Sequence, residues 1–200
     1  MKVTLIQQTP DPVETISKIA SICYNSNPKD PMKLVQHLYN NHHHSVFEHI
    51  YFTFKIEGIS RACSHQLVRH RMCSFTQRSQ RYCNESEFEY VIPPTMKGTN
   101  FPYDIWDITE KYVSYSDKYP KEDARYVLPN ACCTDLYLSC NLRELIHICN
   151  ERLCSRAQWE IRKLVEEMVQ LVDPALKFML VPKCKSKFII CNTPCKTKGE

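Results

Sequence analysis

The sequence predicts a single α+β domain in which helices pack on an antiparallel sheet. Three observations lead to this prediction. The chain has 200 residues, 43% of them hydrophobic, and no repeat or linker divides it, so it can build one sizeable core. Residues 50–57 alternate between apolar and polar side chains, which is the period of a half-buried strand. Several other segments have the 3.6-residue periodicity of amphipathic helices.

Turn residues and helix caps separate the predicted elements in the first half of the chain. Pro10 and Pro12 end the first strand, and the residues that follow have one apolar face. Asp30 and Pro31 suit an N-cap and a first helical position, and Ser60 is a second N-cap candidate. The predicted elements are a strand at 3–7, helices at 13–23 and 31–39, a strand at 50–57 and a helix from 61 to about 70.

The second half of the chain is predicted to be mainly helical. Residues 72–82 have no clear periodicity and predict an irregular segment, which suits a binding site. The last helix has a predicted buried stripe of Trp159, Leu164, Met168 and Leu171. The predicted elements are a strand at 87–92 and helices at 103–119, 121–128, 131–139, 142–153 and 156–171.

Composition argues against several classes of protein. The net charge of +4 is too small to indicate a nucleic-acid-binding protein by itself. No apolar run approaches the roughly 20 residues of a membrane span, and residues 1–6 lack the apolar core of an export signal. The twelve cysteines are scattered, unlike those of a short disulfide scaffold. We therefore expect reduced thiols and a cytoplasmic protein with no membrane partner.

The segment 66–82, QLVRHRMCSFTQRSQRY, is the strongest functional signal. It holds four arginines, one histidine and several hydroxyls but no acidic residue. Guanidinium groups bind phosphate bidentately and stay charged, whereas a solvated helix face would normally carry compensating acids. The segment indicates an anionic small molecule or a nucleic-acid backbone as ligand, and a non-specific basic patch is the alternative.

Neither a glycine-rich nucleotide loop nor a common metal motif is present. With three glycines and no GxGxxG or Walker sequence, side chains and helix ends would have to hold any nucleotide. The consecutive histidines 42–44 cannot all face one ion on a regular element. Cys184, Cys191 and Cys195 lack the usual CxxC spacing, although a fourth ligand could complete a zinc site. We predict no metal.

Four segments, in order, resemble the flavin-dependent thymidylate synthase family. The most specific is R-H-R at 69–71, followed after seven residues by Ser79 and then by an arginine and a tyrosine. The segment H-x-S-x-x-E-H at 43–49 lies upstream, and R-Y-V-L-P at 125–129 lies downstream. The last segment, 141–162, contains N-x-R, a histidine, an arginine and A-Q-W-E-I-R. The resemblance covers about residues 20–170.

The resemblance implies a specific reaction and assembly. The family methylates dUMP to dTMP with methylenetetrahydrofolate as carbon donor, reduced FAD as hydride donor and NADPH as reductant of the flavin. It also implies a curved antiparallel sheet flanked by helices, and a homotetramer whose active sites are shared between subunits. We expect a catalytic domain over residues 1–182, a basic cysteine-containing tail over 183–200, and no nucleic-acid partner. The alternative functions are a basic nucleic-acid-binding module and a Cys/His zinc protein. Either of these would be colourless when purified, whereas a flavoprotein is yellow.

The resemblance also implies roles for individual residues. The expected cofactor-binding residues are His43, Ser45, Arg69, His70, Arg71, Gln77, Asn141, Arg143 and His147. The expected substrate-binding residues are Gln66, Leu67, Val68, Arg69, Gln77, Arg78, Ser79, Gln80, Arg81, Arg125 and Arg152. Arg152 is the expected catalytic residue, because a fixed cation stabilises the negative charge that forms as uracil N3 ionises. Many relatives carry glutamate where this chain has Gln77, and Glu48 is expected to orient its neighbours.

Each assignment has a structural alternative. The cations at 69–71 could complement the dipole of a helix C-terminus. Arg125 could form a surface ion pair with Glu122, and Arg152 could pair with a nearby glutamate, either 151 or 160. Cys73 is a candidate nucleophile because nearby cations stabilise thiolates, but the family needs no protein nucleophile. Ser79 has no base beside it in sequence, so we expect it to bind phosphate.

Overall fold

Within the residues that the structure describes, the chain forms one antiparallel sheet of four strands. The strands are β1 (Lys2–Gln8), β2 (Tyr51–Ser60), β3 (Ser74–Gln77) and β4 (Cys133–Asn141). They pair in the order β1-β2-β4-β3. The computed structural model describes residues 1–25, 27–187 and 189–192, so part of the predicted tail, including Cys195, lies outside the described residues. The predicted α+β class with an antiparallel sheet is confirmed.

Seven α-helices lie in the described part of the chain. They are α1 (Pro12–Ser21), α2 (Pro31–Asn40), α3 (Arg61–Leu67), α4 (Phe101–Ser116), α5 (Lys121–Ala124), α6 (Leu142–Arg152) and α7 (Trp159–Leu171). None of the helices among the described residues is long and apolar enough to cross a bilayer.

The chain divides into two compact units. The first unit contains residues 1–2, 56–69 and 76–136. The second unit contains residues 3–55 and 70–75 and the chain from 137 onward. The boundary falls within each of these four strands, so each strand contributes residues to both units.

Several local predictions are confirmed, because each depends on residues close together in the chain. The Asp30 side chain accepts a hydrogen bond from the backbone N–H of Lys33 at 3.0 Å and caps α2. Ser60 caps α3 in the same way, with the N–H of Cys63 as donor at 3.0 Å. Apolar side chains alternate along β2, where Phe52 is fully buried. Caps satisfy N–H groups that the first turn of a helix leaves unpaired.

The prediction of a helix over 131–139 is wrong, because this segment pairs as β4. The buried residues of β4 are Thr134, Leu136, Leu138 and Cys140, which follow one another at intervals of two positions. A side chain on every second residue faces the core in a strand. The period of two was present in the sequence, but neighbouring helix-like residues obscured it.

Other predicted boundaries also differ from the structure. Part of the segment predicted to be irregular forms β3, whereas residues 87–92 form only an isolated bridge between Tyr90 and Cys132. The helix that Ser60 caps ends at Leu67, before His70, and α4 ends at Ser116. The predicted helix over 121–128 consists of the short α5 and a 3-10 helix, Arg125–Val127.

The last helix begins later than predicted. The Gln158 side chain accepts hydrogen bonds from the N–H groups of Glu160 and Ile161 at 2.9 and 3.1 Å, so α7 starts after this cap. Leu171 is 41% exposed and does not belong to the buried stripe, whereas Leu164 does. A glutamine cap was not recognisable as a helix start because Ser, Thr, Asp and Asn are the usual caps.

Candidate functional site

In the second unit, α6 lines a cavity of about 420 Å³. Arg143 and His147 both border it, as expected for positions i and i+4 on one helix face. The Asn141 side chain, which also borders it, caps α6 by accepting from the N–H of Glu144 at 2.9 Å. The other lining residues are Glu48, Met72 and Glu144. Four sequence-predicted positions, including Glu48, therefore meet at one cavity.

Glu48 and Arg143 form an ion pair at this cavity. Glu48 belongs to a 3-10 helix, Ser45–His49, which packs against α6. The expected cofactor-binding residues His43 and Ser45 lie at the start of this helix and are both exposed. The pair holds the Arg143 guanidinium at the mouth of the cavity, where an anionic ligand could exchange with the carboxylate.

His70 lies beside the cavity residues and is 5% exposed. Its Nε2 accepts a hydrogen bond from Arg152 Nε at 2.9 Å. Its Nδ1 lies 3.6 Å from Glu144 Oε1, and its ring centroid lies 5.6 Å from that of His147. The fold thus brings Arg152, 82 residues away in sequence, onto His70. Glu144 was not among the residues predicted from the sequence, although an acid between Leu142 and Leu145 on an apolar helix was a signal.

One group of metal-ligating atoms clusters within the described residues. Ligand atoms of His70, Glu144 and His147 all lie within 4.8 Å of one another. Both ring nitrogens of His70 are already engaged, one by the Arg152 guanidinium and the other by the Glu144 carboxylate. A fixed cation beside the imidazole opposes a second cation. The arrangement therefore favours a hydrogen-bonded imidazole over a metal centre.

The histidines at 42–44 have a different environment. The ring of His44 packs on that of Phe47 with centroids 6.1 Å apart. Burial foremost, and then the charges of His42 and Arg143, lower the pKa of His44 to about 4. His44 is therefore neutral at neutral pH.

In the first unit, Glu122 brings together two arginines that were predicted to bind substrate. Its carboxylate Oε2 lies 2.6 Å from Arg81 Nε, and its backbone carbonyl accepts a hydrogen bond from Arg125 Nε at 3.0 Å. The Ser79 hydroxyl lies nearby and accepts from the N–H of Arg81 at 3.2 Å. Arg125 therefore contacts the main chain of Glu122, whereas the structural alternative was an ion pair with the Glu122 carboxylate. The carboxylate instead neutralises Arg81.

Arg78 makes a different contact from its neighbours. Its Nε and a terminal nitrogen donate to the two carboxylate oxygens of Glu85 at 3.1 and 3.3 Å. The Glu85 side chain is 4% exposed, and its hydrogen bond raises the pKa of Arg78 above the usual value. This bidentate pairing fixes the Arg78 guanidinium within the first unit. Since Arg78 and Arg81 are both ion-paired, the predicted basic stripe is partly neutralised.

Three glutamine amides of segment 66–82 make local contacts. Gln77 Nε2 donates to the hydroxyls of Ser64 and Thr134 at 3.0 and 3.2 Å. Gln66 Nε2 donates to the Ala62 carbonyl at 3.3 Å. Gln80 Nε2 donates to the sulfur of buried Cys132 at 3.5 Å. Each amide is held in one orientation, which suits recognition of a polar ligand edge.

The other predicted residues of segment 66–82 differ in exposure. Leu67 is buried and Val68 is half-buried, whereas Arg69 and Arg71 are exposed. The two exposed guanidiniums are accessible to a ligand.

Cys73 and Cys140 are reduced thiols that lie within hydrogen-bonding contact. This hydrogen bond foremost, together with burial, raises the pKa of Cys140 well above its usual value. The Cys140 thiol is therefore protonated at neutral pH and is a poor nucleophile.

Comparisons with known proteins identify the family. The family model described as "Thymidylate synthase complementing protein" matches residues 4–176. The flavin-dependent thymidylate synthase of Geobacter sulfurreducens is 41% identical over 190 residues, which cover 86% of this chain and 82% of that protein. The enzyme of the same name from Pyrococcus furiosus is 40% identical, with 92% and 86% covered.

A solved structure has the same fold. It is thymidylate synthase X from Helicobacter pylori, crystallised with FAD and dUMP. It is 22% identical to this chain, has a TM-score of 0.80, and the match covers 92% of this chain and 99% of that one. The motifs, the fold and these relatives agree, and the chain belongs to the flavin-dependent thymidylate synthase family.

Proposed function

We propose that this enzyme methylates dUMP to dTMP with FAD as bound flavin, methylenetetrahydrofolate as carbon donor and NADPH as reductant. The observation that carries the proposal is the cluster of Arg143, His147, His70 and Arg152 at and beside the α6 cavity. A flavin nucleotide offers phosphates and a polar ring edge, and this donor set is chemically suited to both. The family membership and the FAD and dUMP of the Helicobacter pylori structure support it.

The flavin would supply the hydride when bound, and the protein would supply placement and charge. Arginines 69, 71 and 143 are the cations suited to its phosphates, because guanidinium groups bind phosphate bidentately. Arg143 would exchange its Glu48 partner for the ligand. The remaining proposed cofactor contacts are His43, Ser45, His70, Gln77, Asn141 and His147.

The dUMP phosphate is assigned to the Ser79, Arg81 and Arg125 group that Glu122 assembles. Gln66 is assigned to the pyrimidine, whose edge an amide can meet as both donor and acceptor. The remaining proposed substrate contacts are Leu67, Val68, Arg69, Gln77, Arg78 and Gln80.

Arg152 is the proposed catalytic residue. Its guanidinium stays charged at any working pH, and it would lie near the uracil N3 and carbonyl, where negative charge grows. A preorganised cation of this kind stabilises the transition state more than the ground state. The proposed reaction needs no protein nucleophile.

The assembly proposed is a cytoplasmic homotetramer with active sites shared between subunits. Light scattering should give four subunits for the active species. Mixing the inactive variants Arg125→Ala and Arg143→Ala should restore part of the activity, because a shared site can draw one intact residue from each subunit. An active monomer would contradict the proposal.

Two variants test the cofactor and the catalytic residue. Arg143→Ala should lose the yellow flavin absorbance while circular dichroism stays native, and Arg162→Ala on α7 serves as a control.

Arg152→Ala should slow single-turnover dTMP formation from pre-reduced enzyme by about 10²–10³-fold, while NADPH oxidation continues. Arg152→Lys keeps the charge without the planar fork and should recover part of the rate. If NADPH oxidation alone were slowed, Arg152 would belong to flavin reduction.

A further inference from the structure

Glu144 is a buried carboxylate to which neither the motifs nor the proposed function assign a role. It lies on α6, and its side chain is 10% exposed. Transfer of a carboxylate from water into a protein costs several kcal/mol unless a partner compensates it. Its Oε1 lies 3.6 Å from His70 Nδ1. This distance is longer than a direct hydrogen bond, so the contact acts through charge.

The opposite nitrogen of the same imidazole determines the tautomer. Arg152 Nε donates to His70 Nε2 at 2.9 Å. An arginine nitrogen can only donate, so Nε2 must present its lone pair. The proton of the neutral ring is therefore on Nδ1, which is the nitrogen that faces Glu144. A negative charge 3.6 Å away favours the proton at that position.

We propose that Glu144 is a positioning residue that acts on Arg152 through His70. The carboxylate holds the imidazole in its Nδ1–H tautomer, and Nε2 then holds the Arg152 guanidinium in the orientation that meets the pyrimidine. Without the carboxylate, His70 can adopt the Nε2–H tautomer, in which two N–H groups face each other and the contact with Arg152 is lost. The inference rests on the proposed role of Arg152 in methyl transfer.

The alternative use of the same groups is a metal site. Glu144, His70 and His147 have ligand atoms within 4.8 Å of one another. A divalent ion there would lie beside the Arg152 guanidinium and would compete with it for the imidazole. The charges therefore favour an arrangement in which the Glu144 carboxylate acts on His70 through its charge and His70 accepts a hydrogen bond from Arg152.

The variant Glu144→Gln removes the charge and keeps the shape. Glu151→Gln is the matched control, because Glu151 lies on the same helix and its carboxylate contacts Lys183 at the same distance, 3.6 Å. We expect the single-turnover rate of pre-reduced Glu144→Gln, per bound flavin and at saturating dUMP, to fall about 10–100-fold, the usual cost of removing a group that orients a functional imidazole. Glu151→Gln should keep the wild-type rate.

A double-mutant cycle separates positioning from a general structural effect. In an Arg152→Ala background, Glu144→Gln should cause little further loss, since its effect passes through the missing guanidinium. Additive losses, or equal rates for Glu144→Gln and Glu151→Gln, would overturn the inference while the role of Arg152 stands. If Arg152→Ala itself kept the wild-type rate, the proposed function of Arg152 would fail first. Stoichiometric zinc binding to flavin-free protein, abolished by Glu144→Gln, would assign the cluster to a metal and also overturn the inference.

A second variant, Glu144→Asp, tests the proposal if the Glu144→Gln protein does not fold. Glu144→Asp keeps the charge and withdraws it by one methylene. Its loss of rate should be smaller than that of Glu144→Gln and should again vanish in the Arg152→Ala background. Independent losses in that cycle would count against the proposal in the same way.

Discussion

Glu122→Gln is expected to tighten dUMP binding. The Glu122 carboxylate lies 2.6 Å from Arg81 Nε, and the two side chains are 44% and 55% exposed. A phosphate that binds Arg81 must displace or share this carboxylate. Exposed ion pairs contribute about 0.2–1 kcal/mol, so their removal should lower the Kd by about 1.5- to 5-fold. The backbone carbonyl of Glu122 that binds Arg125 is unchanged in the variant.

Titration calorimetry of the flavin-loaded enzyme with dUMP measures this change. Deoxyuridine, which lacks the phosphate, should bind Glu122→Gln and wild type equally. The gain for dUMP should shrink as salt is added, because exposed charges are screened. Glu167→Gln, which removes an exposed contact with Lys163 on α7, is the matched control. Weaker dUMP binding by Glu122→Gln would refute the reasoning and show that the carboxylate organises the phosphate site.

Three further predictions concern stability and the thiols. Arg78→Met should lower the free energy of unfolding in urea by about 2–4 kcal/mol, because buried Glu85 loses its bidentate partner. This is less than the roughly 3–5 kcal/mol of a fully buried pair, because the Arg78 side chain is 42% exposed. Adding Glu85→Gln should restore much of the loss; additive losses would contradict the pairing. The pKa of His44 is lowered from 6.5 to about 4 in the folded protein. As the pH drops from 6.5 towards 4, the unfolded chain takes up a proton on His44 that the folded protein does not, so the free energy of unfolding should fall. His44→Gln should flatten this part of the pH profile of the unfolding midpoint, whereas exposed His43→Gln should not. Cys73→Ala should keep most of the methyl-transfer rate per bound flavin, and complete loss with intact dUMP binding would indicate covalent catalysis.

Local features of the fold were predictable because their causes are neighbours in sequence. The caps at Asp30 and Ser60 each depend on a side chain and an N–H group three residues later. The alternation along β2 is likewise visible in consecutive letters. The segment 131–139 was predicted wrongly because its helix-like residues compete with a period of two, and only pairing within the sheet decides between them.

The sequence by itself determined the family, the sheet class and the identities of the candidate residues, because the spacing of a long motif survives in the linear order of the chain. It did not determine the partners of those residues. Only the tertiary structure brought Glu85 to Arg78, Glu122 to Arg81, and Arg152 to His70. The physical reason is that charge and hydrogen bonding act over a few ångströms in space. Which groups come that close depends on how strands and helices pack, and no local pattern of residues records it.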